Sequence, residues 1–194
     1  MIVGKIVSST SHVDCMCQIL RPGEAAELPA PQDYGFGRFV GVASESGGSL
    51  VAIVCNTTLL NPEFGSLGPR LSPAQDMAVF TPDYLAERVT LVALLVVGAL
   101  DANGVATQGV PECAAESDAP VQTLTDDQVR AFHRGESGLR VAYLPQLATL
   151  QTPLAGPLQE RVIAALLALF PAQAAHLDVV RTNVAWRSRV QPAS

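Results

Sequence analysis

A single lysine, Lys5, stands among the 194 residues, and that scarcity excludes several chemistries. A phosphate-binding loop needs glycines that let backbone N–H groups cradle the anion, followed by Lys-Ser or Lys-Thr. The glycine-bearing stretch from Gly65 to Arg70 has no such lysine and no helix pattern after it, so nucleotide hydrolysis by this chain is not expected. A divalent-metal nuclease also usually sets a lysine beside its carboxylates. Asp33, Asp76, Asp83, Asp101, Asp126 and Asp127 mostly fall at turns or helix starts, where carboxylates serve local hydrogen bonding.

Other absences narrow the field further. None of Cys15, Cys17, Cys55 and Cys113 forms the C-x-x-C spacing of zinc ribbons or thioredoxin-like sites, and small buried hydrophobes is the reading preferred to a redox or metal role. His12, His133 and His176 lie far apart with no H-x-x-x-H spacing; each is expected at the surface or partly packed, and no metal site is expected. No G-x-S-x-G elbow offers a serine nucleophile. The N-terminus has no basic segment leading into an apolar stretch, so no secretory signal is expected. The longest apolar run, Val89 to Leu100, is broken by Thr90 and Gly98 and falls short of the about 20 residues that span a bilayer. The expectation is a cytoplasmic chain with no membrane partner and no cofactor.

Charge and aromatics are also sparse. Only 15% of residues are charged and 5% aromatic, against 48% hydrophobic, so the core must rest on Val, Leu, Ile and Ala. A net charge of -6 argues against gripping nucleic acid over the whole surface, since that binding neutralises many phosphates with cations. The balance is uneven, however. From Val179 onward there is no acidic residue, and Arg181, Arg187 and Arg189 leave about -9 on the remainder once set against the total of -6. These arginines read either as a solvated helix end or, with Trp186, as a nucleic-acid contact in which arginine meets phosphate and the indole stacks on a base.

What is present over the first hundred residues is a series of short branched-aliphatic runs separated by strong turn signals, the pattern of a barrel or sandwich. Strands are predicted over Ile2 to Ser8, Val13 to Leu20, Phe36 to Ala43, Leu50 to Cys55, Arg88 to Leu100 and Val105 to Val110. Gly47-Gly48 and Asn103-Gly104 supply hairpin turns. The long run to Leu100 reads as a strand covered on both faces. Between Leu60 and Pro73, three prolines and two glycines exclude a helix or a central strand, leaving an ordered or functional loop. Phe64 and Leu67 within it either pin it down or await a partner. Pro82 to Glu87 has room for one helical turn.

Glu112 to Pro120 reads as a polar connector. Thr125 and Gln128 then form a capping box for a short helix to about His133. Leu139 to Leu144 is expected as a further strand. From Leu158 the apolar positions Val162, Ile163, Leu166, Leu167 and Phe170 fall on a helical stripe, and Leu177, Val180 and Val184 continue with helical spacing to about Trp186. The expected organisation is α+β: a small N-terminal β-barrel over residues 1–111, then a mixed, mainly helical region over 112–194 that ends in a helical hairpin.

The segments VGKIVSS (Val3 to Ser9), FGRFVGV (Phe36 to Val42) and LVAIVCNT (Leu50 to Thr57) together resemble the HerA-ATP-synthase barrel. That family runs from a glycine-containing first strand, through a second strand, a turn and a strand opening with an F-G or L-G pair, to one ending in Asn or Thr. The likeness covers about the first hundred residues. It implies a binding role, because in HerA-type DNA translocases this barrel sits on one face of a hexameric motor and offers the docking surface for the nuclease NurA. In rotary ATP synthases the corresponding barrels knit the ring together. The ATPase domain has no counterpart here.

The resemblance therefore implies a non-enzymatic adaptor in DNA end processing. Its partner would be a HerA-like hexameric ATPase or a NurA-like nuclease, met through the barrel and the loop residues Asn61, Phe64, Leu67 and Arg70. A homo-oligomer and an indirect contact with DNA are compatible with it. The alternative is an accessory protein that binds DNA through Arg181, Trp186, Arg187 and Arg189. A hydrolase assembled from scattered residues stands third.

Overall fold

The computed structural model describes residues 1–44, 47–60, 89–135 and 138–190, with side chains described as far as residue 182. Seven strands make the main sheet: β1 (Ile2–Ser9), β2 (Asp14–Ile19), β3 (Phe39–Ala43), β4 (Ser49–Leu60), β5 (Val89–Leu100), β6 (Ala106–Gln108) and β7 (Pro120–Thr123). All pairings in it are antiparallel. β1 pairs with β2 and β7, β7 with β3, β3 with β4, β4 with β5, and β5 returns to β2. Six strands thus close into a barrel, which removes the open edges that a flat sheet of this composition would expose. β6 takes the rest of the β5 edge, at Gly98 to Leu100, past the point where β2 stops at Leu95.

Side-chain alternation sorts the apolar residues into two cores. Val40, Val42, Leu50, Ala52, Val54, Val92, Leu94 and Val96 point into the barrel, where they meet Val3, Ile6, Cys15, Cys17 and Val121. Their sequence neighbours Phe39, Val51, Ile53, Leu95 and Val97 point outward into a second core shared with the helices. The continuous apolar reading of β4 and β5 follows from this: a strand buried on both faces has no polar side to show.

The helical layer consists of α1 (Asp126–Phe132), α2 (Leu144–Ala148), α3 (Ala155–Leu169) and α4 (Ala174–Val190). Thr125 Oγ1 accepts from the Gln128 N–H while Gln128 Oε1 accepts from the Thr125 N–H, so the expected capping box forms. Leu158, Val162, Ile163 and Leu166 give α3 its buried stripe, which continues at Leu177 of α4. The chain bends by 118° between these two helices.

Three local expectations are corrected. β4 runs to Leu60, well past Cys55: Asn56 to Thr58 pair with Leu91 to Ala93, which β2 flanks on the other side, and Leu59–Leu60 with Val89–Thr90 carry the pair past β2 as a short two-stranded ribbon. Leu139 to Leu144 is no strand: only Gly138–Leu139 pairs, with Arg134–Gly135, and Pro145 sits in the first turn of α2, where its missing N–H costs nothing. The stretch read as a connector leads into β7, whose Val121 lies in the barrel core between β1 and β3. The barrel sheet therefore draws on residues beyond 111. Residues 60–73, apart from Leu60, and the turn at Pro82 to Glu87 lie outside the described residues.

Candidate functional site

The loop residues Asn61, Phe64, Leu67 and Arg70 lie outside the described residues. Their anchorage is defined, since Leu60 and Val89 are register partners and the intervening segment leaves and re-enters at one ribbon tip. Leu59, in the last turn of pairing before it, is 76% exposed.

Arg181 lies on α4, where its guanidinium meets Asp178 at 3.0 Å, one turn back. That exposed pair satisfies the arginine locally and contributes little to stability. Trp186, Arg187 and Arg189 follow on the same helix; their side chains lie outside the described residues. At about 100° per residue, the four backbone positions spread around the axis instead of lining one stripe.

Among the described residues, the barrel wall is covered unevenly. β3, β4 and β5 carry the helical layer on their outer face, but no residue of β1, β2 or β7 belongs to that second core. On this other wall Ile2, Lys5 and Val7 are exposed, and Met16, Gln18 and Gln122 are half-buried. Lys5 pairs with Gln18 on one side and Pro120 on the other, so the patch spans three strands.

A family profile described as "Domain of unknown function (DUF8166)" matches residues 1–193. The chain belongs to the DUF8166 family. No curated protein matches this DUF8166 chain. Among the described residues, no single helix is long and apolar enough to cross a membrane.

At the end of the DUF8166 barrel opposite the ribbon tip, a cleft of about 500 Å³ opens between Ser44, Gly48 and the start of β4 on one side and the β5–β6 turn and residues 109–113 on the other. Leu50 and Leu100 are buried at its base, while Val105 and Val110 stand exposed at its mouth. Asp101 and Glu112 line it, with Cys113 alongside. The Asp101 carboxylate accepts from the Asn103 and Val105 N–H groups at 2.8 Å each, which fixes the turn. Sequence reading identified this turn but not the cleft. The signal available was the unusual placement of valines at 105 and 110, bracketing a three-residue strand.

The cysteines of the DUF8166 chain divide by environment. Cys15 and Cys17 project into the barrel, and burial pushes the Cys17 thiol up to about 12, so these two behave as small hydrophobes. Cys55 is half-buried, its Sγ donating to the Ala93 carbonyl, and burial raises its pKa as well. Cys113 is exposed, which corrects the buried reading there.

His133 is the larger correction. It is fully buried, in contrast to His12 and His176, which are exposed as expected. Its Nδ1–H donates to the Val129 carbonyl at 2.7 Å, and its Nε2 accepts from the Tyr143 hydroxyl at 2.8 Å. Phe39, Phe132, Tyr143 and Phe170 pack around the ring with centroids 5.1 to 6.1 Å away. Desolvation holds the imidazole pKa down at about 4, so it is neutral near pH 7. With both nitrogens engaged, this histidine fastens the end of α1 to the approach to α2, and its ring packs that junction against Phe39 of β3.

Gln108 has the same function from the strand side. Its side-chain amide donates to the Phe132 and Arg140 carbonyls at 3.0 and 2.9 Å and accepts from the Ala142 N–H at 2.7 Å. Among the described residues, no group of three or more His, Cys, Asp or Glu side chains is placed to hold a metal ion.

Proposed function

We propose that the chain is a non-catalytic adaptor that docks onto a HerA-like hexameric DNA translocase or its NurA-like nuclease during DNA end processing. The observation carrying this reading is that, among the described residues, the helical layer covers one wall of the barrel and leaves the other without a second core. One wall is sealed by the chain's own helices, while the wall of β1, β2 and β7 presents Ile2, Val7 and Lys5 outward over three paired strands. A rigid, partly apolar wall of this kind suits protein contact better than turnover. The three segments that resemble the HerA-type barrel fall on β1, on the entry to and body of β3, and on β4.

The test is co-purification with a HerA-like motor and a NurA-like nuclease, followed by size-exclusion chromatography with light scattering. The expected result is a stoichiometric complex, with Ile2→Glu and Val7→Glu together weakening capture about tenfold or more. A monomer that captures neither partner overturns the reading.

The exposure of Arg181 supports a second reading, an accessory DNA contact through α4. Salt-dependent retention on DNA, abolished when Arg181, Arg187 and Arg189 are changed to alanine, identifies that case.

A further inference from the structure

The cleft at the barrel end combines two features that an empty surface has no reason to bring together. Val105 and Val110 are 61% and 68% exposed at its mouth, above the buried side chains of Leu50 and Leu100. Water-exposed branched side chains held by a fixed turn gain free energy when an apolar group covers them. Beside them stand the carboxylates of Asp101 and Glu112; among the described residues neither has an ion-pair partner and no lysine or arginine lines the cleft. An apolar mouth flanked by uncompensated negative charge complements a ligand that is itself apolar and cationic.

The frame around the cleft is built from the backbone. The Asp101 side chain holds the β5–β6 turn, and the Gly109 N–H donates to the Val97 carbonyl at 2.9 Å, fixing the exit from β6. The main chain at the mouth is therefore set before any ligand arrives, which lowers the ordering cost of binding. A volume of about 500 Å³ accommodates a few amino-acid side chains.

We propose that this cleft is a docking groove for a short segment of a partner protein in which arginine or lysine alternates with aliphatic residues. The valines take the aliphatic side chains, and Asp101 and Glu112 take the cations. The proposal rests on reading the chain as a docking module but places the contact on a surface separate from the wall of β1, β2 and β7.

The experiment is a titration of the full chain, isotopically labelled for amide NMR, with the synthetic peptide leucine-arginine-valine-arginine-leucine. The same peptide with both arginines replaced by glutamate, and spermidine, are run alongside. The expected result is saturable shifts confined to the amides around Leu50, Ala99 to Ala102 and Val105 to Cys113, with the arginine peptide only and at concentrations up to about 1 mM. Asp101→Asn with Glu112→Gln, which keeps the oxygen that the turn N–H groups need, weakens binding about fivefold. Raised salt weakens it further.

Absence of saturable shifts in that region overturns the proposal, as do equal shifts with the glutamate peptide or with spermidine. Capture of a motor or nuclease that depends on Ile2 and Val7 while the cleft stays silent overturns this inference and leaves the adaptor reading standing. A cleft that binds the peptide in a chain that captures neither partner does the reverse.

Discussion

The Nε2 of His133 accepts a 2.8 Å hydrogen bond from the hydroxyl of Tyr143, and both side chains are fully buried among aromatic rings. Ten residues separate the two in sequence, and between them lie the turn, the small hairpin and the approach to α2. The bond therefore fastens a loop-rich stretch to the end of α1, and its consequences are measurable.

Stability should fall in acid, with a defined window. The imidazole titrates near 6.5 when unfolded and near 4 when buried, because desolvation disfavours the charged ring. A group whose native pKa is depressed contributes stability above the unfolded value, and that contribution is lost as pH falls toward the folded one. Between pH 6.5 and 4 the unfolded chain takes up a proton that the native chain refuses, a loss of roughly 3 kcal/mol. Urea unfolding at pH 7.5 and pH 4 should show it, and His133→Gln should flatten the dependence while lowering stability at neutral pH.

Tyr143→Phe keeps the ring packing but removes the donor, leaving Nε2 buried without a partner. A loss of about 1–3 kcal/mol is expected, with an unchanged denaturant slope. A slope that drops along with the midpoint would mean that the cluster itself had loosened.

Gln108→Leu removes three hydrogen bonds at once, leaving the buried Phe132 carbonyl and the part-buried Arg140 carbonyl and Ala142 N–H without that partner. The cost should be at least about 2 kcal/mol. Hydrogen–deuterium exchange should locate it, with protection falling over 132–142 while β3, β4 and β5 keep theirs.

Two glycines separate strain from collision. Gly98 has φ +154° and faces the Thr107 carbonyl oxygen so closely that a Cβ would overlap it, whereas Gly104 has φ +77° with nothing within 4 Å. Gly98→Ala should cost about 3 kcal/mol or more by forcing β5 and β6 apart. Gly104→Ala pays for the left-handed backbone alone, about 1–2 kcal/mol. Thermal unfolding of the two variants measures the difference.

Much of the barrel was legible from sequence because its signals are local. The short runs of branched aliphatics in Ile2 to Ser9 and Ser49 to Val54, the Asn103-Gly104 turn, and the Thr125–Gln128 cap each carry their reason within a few residues. The candidate site was less legible. The residues singled out in the loop from Asn61 to Arg70 lie outside the described residues. The cleft escaped notice because Leu50, Leu100, Val110 and Glu112 come together only when the start of β4, the end of β5 and the exit from β6 meet.

By itself, the sequence determined most of the barrel strands, the capped helix and the two long helices, and that the barrel interior would be aliphatic, since propensity, turn chemistry and periodicity act over a few residues. Only the tertiary structure decided that the sheet closes and where. β7 is four residues long, too short to show a period, and it is a strand because β1 and β3 offer it backbone partners on both sides. The same holds for His133, whose burial depends on Phe39, Tyr143 and Phe170 arriving from three distant segments. Long-range partners decide such residues because hydrogen-bond satisfaction and desolvation are set by what surrounds a group in space, whatever its neighbours along the chain.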